Sequence, residues 1–252
     1  LYLDQFMQIV YHIGAHFTDE DLLLKGLLHN ADLLAQHEIL VPKPETYRNV
    51  LRDTLLSLRG KLASDEIQDV VLDTILGDAV GERVVFSYES FICGAPQIFH
   101  DGTYYGKMGM KAQWLRNLFP DFEVEFCSGL RDPATHIPTL FNRQNGQNDF
   151  VEWRRQINMN TLSWKRVLAE LRQAVPDAPL NVWCNEDTPL IWAELVRELA
   201  GLETRAARGA MDDTTRAEYE TRMEKIWDIH PRASVADVAD QMEHAVKIAG
   251  ID

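Results

Sequence analysis

Residues 9–21 carry the side chains and backbone most able to do chemistry. A short apolar run meets Gly14, and an apolar pattern typical of a helix resumes at Leu22. A strand, a glycine turn and a helix start in this order can bind phosphate, because the N–H groups of the turn point at the anion. Three acids, residues 19–21, stand where the phosphate would lie. The stretch therefore predicts an anion site and also a reason for that site to be lost.

Arg131 follows another predicted strand directly and precedes Asp132 and Pro133. A guanidinium in this place could hold a phosphate through two parallel hydrogen bonds. Thr139, eight positions on, could add a hydroxyl. An ion pair between Arg131 and Asp132 or Asp187 is the alternative, and the residues alone leave both interpretations open.

Glu89 ends a third predicted strand, ahead of residues 93–106, which are rich in glycine, proline and aromatic side chains. A carboxylate beside such a loop could act as a general base toward a hydroxyl group. It could equally cap a helix or pair with an arginine. The same alternatives apply to residues 185–187, where the following Thr188 and Pro189 favour capping.

The histidines and serines do not form a recognisable reaction centre. His12 and His16 are four residues apart on a strand and a turn, a spacing that does not aim both rings at one metal. His29 and His37 have no cysteine or acid at ligand spacing. No serine lies in a Gly-x-Ser-x-Gly turn. We therefore predict neither a metal site nor a serine hydrolase.

The composition narrows the choice of partners. The chain has 252 residues, 46% of them hydrophobic, and a formal net charge of −14. This charge disfavours nucleic acid and anionic membranes. No apolar run reaches the roughly 18 residues of a membrane span, and no targeting segment is recognisable. The three cysteines are scattered and are expected to be buried and reduced, so we expect a cytoplasmic protein. The sequence leaves the oligomeric state open.

Predicted strands alternate with predicted helices along the chain. The strands are placed at 8–12, 83–88, 122–129 and 180–184. The helices are placed at about 18–36, 45–59, 64–76, 107–119, 134–143, 153–175 and 188–201. Such alternation predicts an α/β fold, a three-layer α/β/α arrangement with a mostly parallel sheet. We expect one domain over residues 1–202, with residues 203–252 as a helical extension packed on it.

The first helix should begin at Thr18. We expect Thr18 to be its N-cap, with Asp21 completing a pair that resembles a capping box. Asp19 and Glu20 would then lie in the first turn, where carboxylates complement the helix dipole. These acids would satisfy the N–H groups that a bound phosphate would otherwise use.

Taken together, these motifs resemble the sulfotransferase family, especially its bacterial members. The resemblance covers about residues 8–200. It rests on segments 11–16 with Thr18, 29–48, 86–90, 129–133 with Thr139, and 183–187 with Trp192, in this order. It implies a fold like that of P-loop nucleotide hydrolases and sulfotransferases. The activity it implies is transfer of a sulfuryl group from 3′-phosphoadenosine 5′-phosphosulfate to a small-molecule hydroxyl or amine acceptor.

The resemblance also assigns roles to single residues. The 5′-phosphosulfate of the donor would be bound by Gly14, Ala15, His16, Phe17 and Thr18. Arg131 and Thr139 would hold the 3′-phosphate, and Glu89 would act as the catalytic base. The resemblance implies no metal.

The loop departs from the family pattern where it would meet the sulfuryl group. Phe17 stands in place of a lysine, and residues 19–21 stand in place of glycine and hydroxyl residues. Sulfuryl transfer, like phosphoryl transfer, relies on cations that stabilise the charge on equatorial oxygens. Each carboxylate would instead oppose a phosphate oxygen at contact by about 4 kcal/mol, even at an effective dielectric constant of ~20.

Three hypotheses follow, and the sequence leaves open whether the protein is an enzyme. In the first, a sulfotransferase-like protein has lost donor binding at its first loop. In the second, an active enzyme has a relocated cation, supplied by Lys25, Lys43, Lys107 or Lys111. In the third, a non-catalytic module binds a protein or a cationic or neutral small molecule in a pocket lined by residues 19–21, residues 186–187, Tyr104 and Tyr105.

Overall fold

The computed structural model describes residues 7–145, 150–155 and 157–201. Its strands are β1 (Gln8–His12), β2 (Ile39–Leu40), β3 (Arg83–Ser87), β4 (Phe99–His100), β5 (Thr103–Tyr104), β6 (Glu123–Leu130) and β7 (Leu180–Cys184). Its helices are α1 (Leu22–His29), α2 (Ala31–Ala35), α3 (Pro44–Leu58), α4 (Asp65–Leu76), α5 (Met108–Leu118), α6 (Pro133–Asn145), α7 (Phe150–Arg155), α8 (Trp164–Ala174) and α9 (Trp192–Ala200). Strands β4 and β5 pair with each other and form a short antiparallel hairpin.

A five-stranded parallel sheet in the order β2-β3-β1-β6-β7 forms the centre of the fold. β1 lies in the middle because it is apolar on both faces, with Ile9, Val10 and Tyr11 fully buried. The chain places β2 and β3 on one side of β1 and β6 and β7 on the other. The strand order therefore reverses at β1, and in open α/β sheets ligands bind beyond the carboxyl ends at such a point.

Helices cover both faces of the sheet, as the alternation of the sequence predicted. Ile9 and Tyr11 pack in one core cluster with residues of α3, α4, α5 and α8. Val10 packs in the other cluster with residues of α1, α2 and α9. The prediction of an α/β fold with a parallel sheet is thus confirmed, and the two helix layers are consistent with a three-layer arrangement.

The predicted helix from residue 18 to 36 is wrong at its start and is interrupted. Phe17, Glu20 and Asp21 have left-handed backbone conformations, with φ of 56°, 48° and 66°. A helix cannot continue through such residues, so α1 begins only at Leu22. A second break falls at Asn30, whose φ of −115° is also not helical. The side chain of Asp19, and not that of Thr18, accepts a hydrogen bond from the first turn of α1.

Residues 93–106 are also more ordered and more buried than a long exposed loop. They contain a 3₁₀ turn and the β4–β5 hairpin, and Tyr104 and Tyr105 are fully buried. The last predicted helix starts late, since residues 185–187 form a 3₁₀ turn and α9 begins at Trp192. It ends at Gly201 in a left-handed conformation, as predicted.

Some expectations concern parts of the chain that the structure does not describe. The predicted helical extension at 203–252 lies outside the described residues. None of the described helices has the length and apolar character needed to cross a bilayer. Of the cysteines, Cys93 and Cys127 are buried, but Cys184 is exposed, so the expectation of burial was wrong for Cys184.

Candidate functional site

The loop after β1 lies against the ends of the two neighbouring strands. Gly14 has φ of +87°, and a Cβ atom added to it would stand 3.1 Å from the Cα of Glu89. Its carbonyl accepts a hydrogen bond from the hydroxyl of Ser128. Glycine is therefore required at this position both by conformation and by the close approach of the β3 end.

Protein acceptors already use six backbone N–H groups of the loop and helix start. Ala15 donates to the carbonyl of Gly129, and Phe17 donates to Oε2 of Glu89 at 2.9 Å. The side chain of Asp19 accepts from the N–H of Leu23 at 3.0 Å. The complete set of donors is Ile13, Ala15, His16, Phe17, Leu22 and Leu23. A phosphate in the usual place would have to displace most of these bonds.

Arginines hold two of the three acids of the loop, and a third arginine binds the carbonyl of Phe17. Arg48 of α3 binds Asp21 through two bonds of 2.7 and 3.2 Å, while Arg143 of α6 binds Glu20 at 2.6 Å. Arg48 also donates to the carbonyl of Ser87 at the end of β3. Asp21 and Glu20 thus occupy the guanidinium groups of Arg48 and Arg143, which could otherwise bind an external anion.

Thr18 and Asp21 do not form the predicted capping pair. The hydroxyl of Thr18 donates to the carbonyl of Ala15 at 2.8 Å, inside the loop itself. Asp21 precedes α1 without capping it and turns to Arg48 instead. The capping function of the acids is fulfilled by Asp19, whose carboxylate bonds to the first turn.

Arg131 reaches the loop, but its partner is not the predicted one. Its Nη1 donates to the carbonyl of Phe17 at 2.6 Å, and its Nε donates to the hydroxyl of Thr135 at 3.2 Å. Within the described residues it forms no ion pair with Asp132, Asp187 or any other carboxylate. Burial lowers the pKa of Arg131, and the acids near it oppose that shift. A half-buried guanidinium thus stabilises the loop through a neutral carbonyl.

Thr139 is not directed at an anion together with Arg131. Its hydroxyl donates to the carbonyl of Thr135 one turn earlier in α6, at 2.9 Å. Asp132 caps the start of the same helix through the N–H of Ala134, and Glu186 accepts from the N–H of Asp132. The predicted capping of the following helix by residues 185–187 is therefore wrong, because α9 begins at Trp192 without a side-chain cap. Glu186 supports the start of α6 instead.

Glu89 lies where a base could meet an acceptor, at the carboxyl end of β3 and beside Gly14. Burial raises the pKa of Glu89, and the charges of Asp21, Asp19 and Glu20 raise it further, against the lowering effect of the Phe17 N–H. A raised pKa brings a carboxyl closer to the range useful for proton transfer. Its position is compatible with the predicted role, and its bond to Phe17 also makes it a support of the loop.

A buried layer of aromatic and imidazole groups lies beneath the loop. The hydroxyl of Tyr105 accepts a hydrogen bond from the backbone N–H of His16 at 3.0 Å. The same hydroxyl lies 2.9 Å from Nδ1 of the His16 ring. The hydroxyl of Tyr104 lies 2.7 Å from Nδ1 of His136, and the ring of Trp164 packs against both tyrosines. Because Tyr104 and Tyr105 are enclosed, the predicted open pocket lined by them is wrong.

The candidate lysines of an active enzyme have other partners, as far as their contacts are described. Lys107 donates to the side chain of Gln97, and Lys111 lies 3.7 Å over the ring of Trp114. Lys25 donates to the carbonyl of Glu20 at the rim of the loop. Of these candidate lysines, Lys25 has a described contact with the loop.

A cavity of about 560 Å³ opens at the opposite, amino edge of the sheet. Its lining includes Gln8, Glu125, Asn181 and Glu198. Glu125 at its base is already bonded to Arg83, Gln8 and Asn181. Since these polar groups satisfy one another, and since ligands in this class of fold bind at the other edge, we assign the cavity no function.

Sequence reasoning missed the residues that hold the loop from a distance. Arg48 and Arg143 lie in predicted helices, and Tyr105 lies in a segment interpreted as an open loop. No local pattern marks such residues, because their role depends on which helix ends the sheet brings to one edge. The best available signal for these residues was the adjacent pair Tyr47 and Arg48 at the start of α3. Both side chains bond to the carbonyl of Ser87.

The residues of the loop do not fit the donor nucleotide in the conformation described. The N–H groups of Ala15, His16 and Phe17 already bond to protein acceptors, and Phe17 offers no cation to the site. No cluster of three or more His, Cys, Asp or Glu among the described residues could hold a metal there. No family model matches the chain, and no curated protein is significantly similar to it.

Removing the carboxylate of Asp21 should loosen the loop. We expect Asp21→Asn to lower the free energy of unfolding by about 1 kcal/mol, because the bidentate, partly buried pair with Arg48 is lost. Urea denaturation measures the change. Asp53→Asn is the matched control, since the Asp53–Arg52 pair is mostly exposed and should contribute almost nothing. Equal effects of the two changes would contradict the special role of Asp21.

Proposed function

We propose that this chain is a sulfotransferase-like protein that holds its first loop with its own side chains and does not bind the phosphosulfate donor there. It would then act by binding rather than by sulfuryl transfer. The observation that carries the proposal is the use of six N–H groups of the loop and the helix start by protein acceptors. Such groups must be available if a loop is to bind phosphate.

The position of the loop supports the sulfotransferase-like part of the proposal. It follows the central strand β1 at the point where the strand order reverses, and Glu89 and Arg131 follow the two strands next to it. These are the positions that the resemblance assigns to the donor site and the base. The order of β2-β3-β1-β6-β7 agrees with a fold of the P-loop type, which we include in the proposal.

The charges near the loop support the loss of donor binding. Asp21 and Glu20 neutralise Arg48 and Arg143, and Arg131 is directed at the carbonyl of Phe17. A phosphosulfate would thus meet carboxylates before it met an uncompensated cation. Each close contact with a carboxylate opposes an anion by about 4 kcal/mol at an effective dielectric constant of ~20.

Isothermal titration with 3′-phosphoadenosine 5′-phosphate tests the proposal. We expect no measurable binding by the natural chain at millimolar nucleotide. A variant with Phe17→Lys, Asp19→Gly, Glu20→Thr and Asp21→Thr removes the carboxylates and supplies the cation, and should gain binding that Arg131→Ala then weakens. Micromolar binding by the natural chain that disappears in Arg131→Ala would overturn the proposal.

An active sulfotransferase is the second candidate, and the environment of Glu89 favours it. Burial raises the pKa of this carboxyl, and the residue lies beside Gly14 at the candidate site. A sulfuryl-transfer assay over a panel of hydroxyl acceptors decides between the candidates. Turnover that Glu89→Gln abolishes would favour the enzyme, while the absence of both turnover and donor binding would exclude it.

A further inference from the structure

The edge strand β7 is unusually exposed for a strand of a parallel sheet. Strands of such sheets are normally buried on both faces. β1, β3 and β6 follow this rule over nearly their whole length. In β7 every residue is at least partly exposed, and Val182 in its centre is 44% exposed. Within the part of the chain that the structure describes, the face and the edge of β7 are therefore both accessible.

The backbone of β7 presents unused hydrogen-bonding groups to the outside. Residues 126 and 180 are partners in the β6–β7 register, and the N–H of Phe126 donates to the carbonyl of Pro179. By the alternation of a parallel ladder, Asn181 and Trp183 then bond to β6, while the N–H groups of Leu180, Val182 and Cys184 point away from it. Among the described strands, β7 pairs with β6 alone.

The two edges of the sheet differ in how they are protected. The other edge strand, β2, is only two residues long, and both residues are buried. β7 has five residues and contains neither a proline nor a charged side chain. Proteins usually protect a free edge with short strands, prolines or charges, because an open edge pairs with other chains. The unprotected edge of β7 is therefore suited to pairing.

We propose that the free edge of β7 is a docking site for an extended segment of a partner protein, with aliphatic residues in its centre and Lys or Arg at its ends. Such a segment would add a sixth strand through main-chain hydrogen bonds. The charge of the edge selects basic flanks, since Glu186 and Asp187 follow β7 and are exposed, and Asp177 precedes it. Asp177 is paired with Arg116, so the end at residues 186–187 carries more of the selection.

A second copy of this chain fits the edge less well. Antiparallel pairing of two β7 strands about a twofold axis at Val182 would place Asp177 opposite Asp187 of the other copy. Like charges directly opposite each other destabilise a strand pair. The same acids that would repel a second copy would attract a basic segment.

Fluorescence anisotropy with a labelled peptide tests the proposal on the full chain. The probe is acetyl-Lys-Thr-Val-Thr-Val-Thr-Lys-amide, and its control carries Glu in place of both Lys. Val182→Pro removes the outward N–H while leaving the bonds to β6 in place, and Val182→Thr is the matched control that retains this N–H. Asp187→Asn changes the charge without touching the strand.

We expect the Lys-flanked peptide to bind roughly tenfold more tightly than the Glu-flanked peptide. Val182→Pro should abolish this binding, Val182→Thr should retain it, and Asp187→Asn should weaken it about threefold. Equal affinity for the two peptides, no binding at millimolar peptide, or undiminished binding by Val182→Pro would overturn the proposal. So would sedimentation of the natural chain as a dimer that Val182→Pro dissociates, because the edge would then belong to a second copy. If Val182→Pro fails to fold, the Asp187→Asn and peptide-charge comparisons decide alone.

Discussion

Replacing Glu125 with alanine is expected to lower the free energy of unfolding by about 3–5 kcal/mol, because it leaves a buried guanidinium without its counter-charge. Glu125 of β6 and Arg83 of β3 form an ion pair of 3.0 Å, and their side chains are only 5% and 4% exposed. Gln8 of β1 bonds to both of them. The pair therefore joins three neighbouring strands at the amino edge of the sheet.

Arg83 also fixes the last described helix to the sheet. Its Nε donates to the carbonyl of Leu199 and its Nη2 to the carbonyl of Glu198, both at 2.9 Å. A Cβ atom added to Gly201 would stand 2.7 Å from the Arg83 side chain, so this glycine is needed for the contact. Glu125→Ala should thus also weaken the attachment of α9.

Urea denaturation monitored by tryptophan fluorescence measures the effect of Glu125→Ala. The control is Glu152→Ala, because the Glu152–Arg155 pair is exposed on both sides and should contribute little. The double change Arg83→Met and Glu125→Leu should recover much of the stability, since it removes both buried charges together. A loss below about 1 kcal/mol for Glu125→Ala would show that water reaches the pair.

The sheet could be predicted from the sequence because its strands are short apolar runs that need no distant partner to be recognised. The limits of β1 and β7 were predicted without error, and those of β3 and β6 to within one residue. Their alternation with helices is enough to fix a parallel sheet. Two-residue β2 was not predicted, because so short a strand has no periodicity of its own.

The conformation of the candidate site could not be predicted in the same way. Phe17, Glu20 and Asp21 have left-handed backbones that the local sequence disfavours, and a helix start at Thr18 was the better local solution. Contacts with residues far along the chain override that preference. Arg48 and Arg143 come from α3 and α6, and only the sheet order brings them to the loop.

Two candidate residues from the sequence, Glu89 and Arg131, both contact the same residue of the loop. The Phe17 N–H donates to Glu89, and the Phe17 carbonyl accepts from Arg131, so one loop residue joins the two predicted partners. A phenylalanine side chain supplies neither of these bonds, which belong to its backbone. Phe17 thus supplies no charge to the site, while its backbone joins the ends of β3 and β6.

Acid is expected to destabilise the protein through the histidines beneath this framework. Burial lowers the pKa of His16 to about 4. Burial, aided by the charge of Arg131, lowers that of His136 to about 3. Both rings are fully buried, and each Nδ1 lies within hydrogen-bonding distance of a tyrosine hydroxyl. Backbone groups of Cys93 and His16 oppose these two shifts only in part. An imidazolium in either place would be a charge buried away from water.

The direction of the effect follows from the two pKa values of each histidine. In the unfolded chain both rings take up protons as the pH falls through about 6.5, while in the folded chain they stay neutral until about pH 4 and 3. Stability is therefore complete above pH 6.5 and falls below it. At pH 5 the loss should be about 2 kcal/mol for each ring, and so about 4 kcal/mol together. Glu89 has the opposite influence, because its raised pKa favours the folded state in acid.

Urea denaturation between pH 7.5 and 4.5 measures this dependence, with His16→Asn and His136→Asn as test variants. Asparagine can retain the bond to the tyrosine hydroxyl through its amide and does not titrate. Each variant is thus expected to be less stable at pH 7.5 but to lose about 1.4 kcal/mol less per pH unit below pH 6.5. His29→Asn, at an exposed position in α1, is the control for replacing an imidazole outside the buried layer. A natural chain equally stable at pH 7.5 and 5 would mean that the buried layer opens to admit protons, and the loop above it would then be far less rigid than its hydrogen bonds suggest.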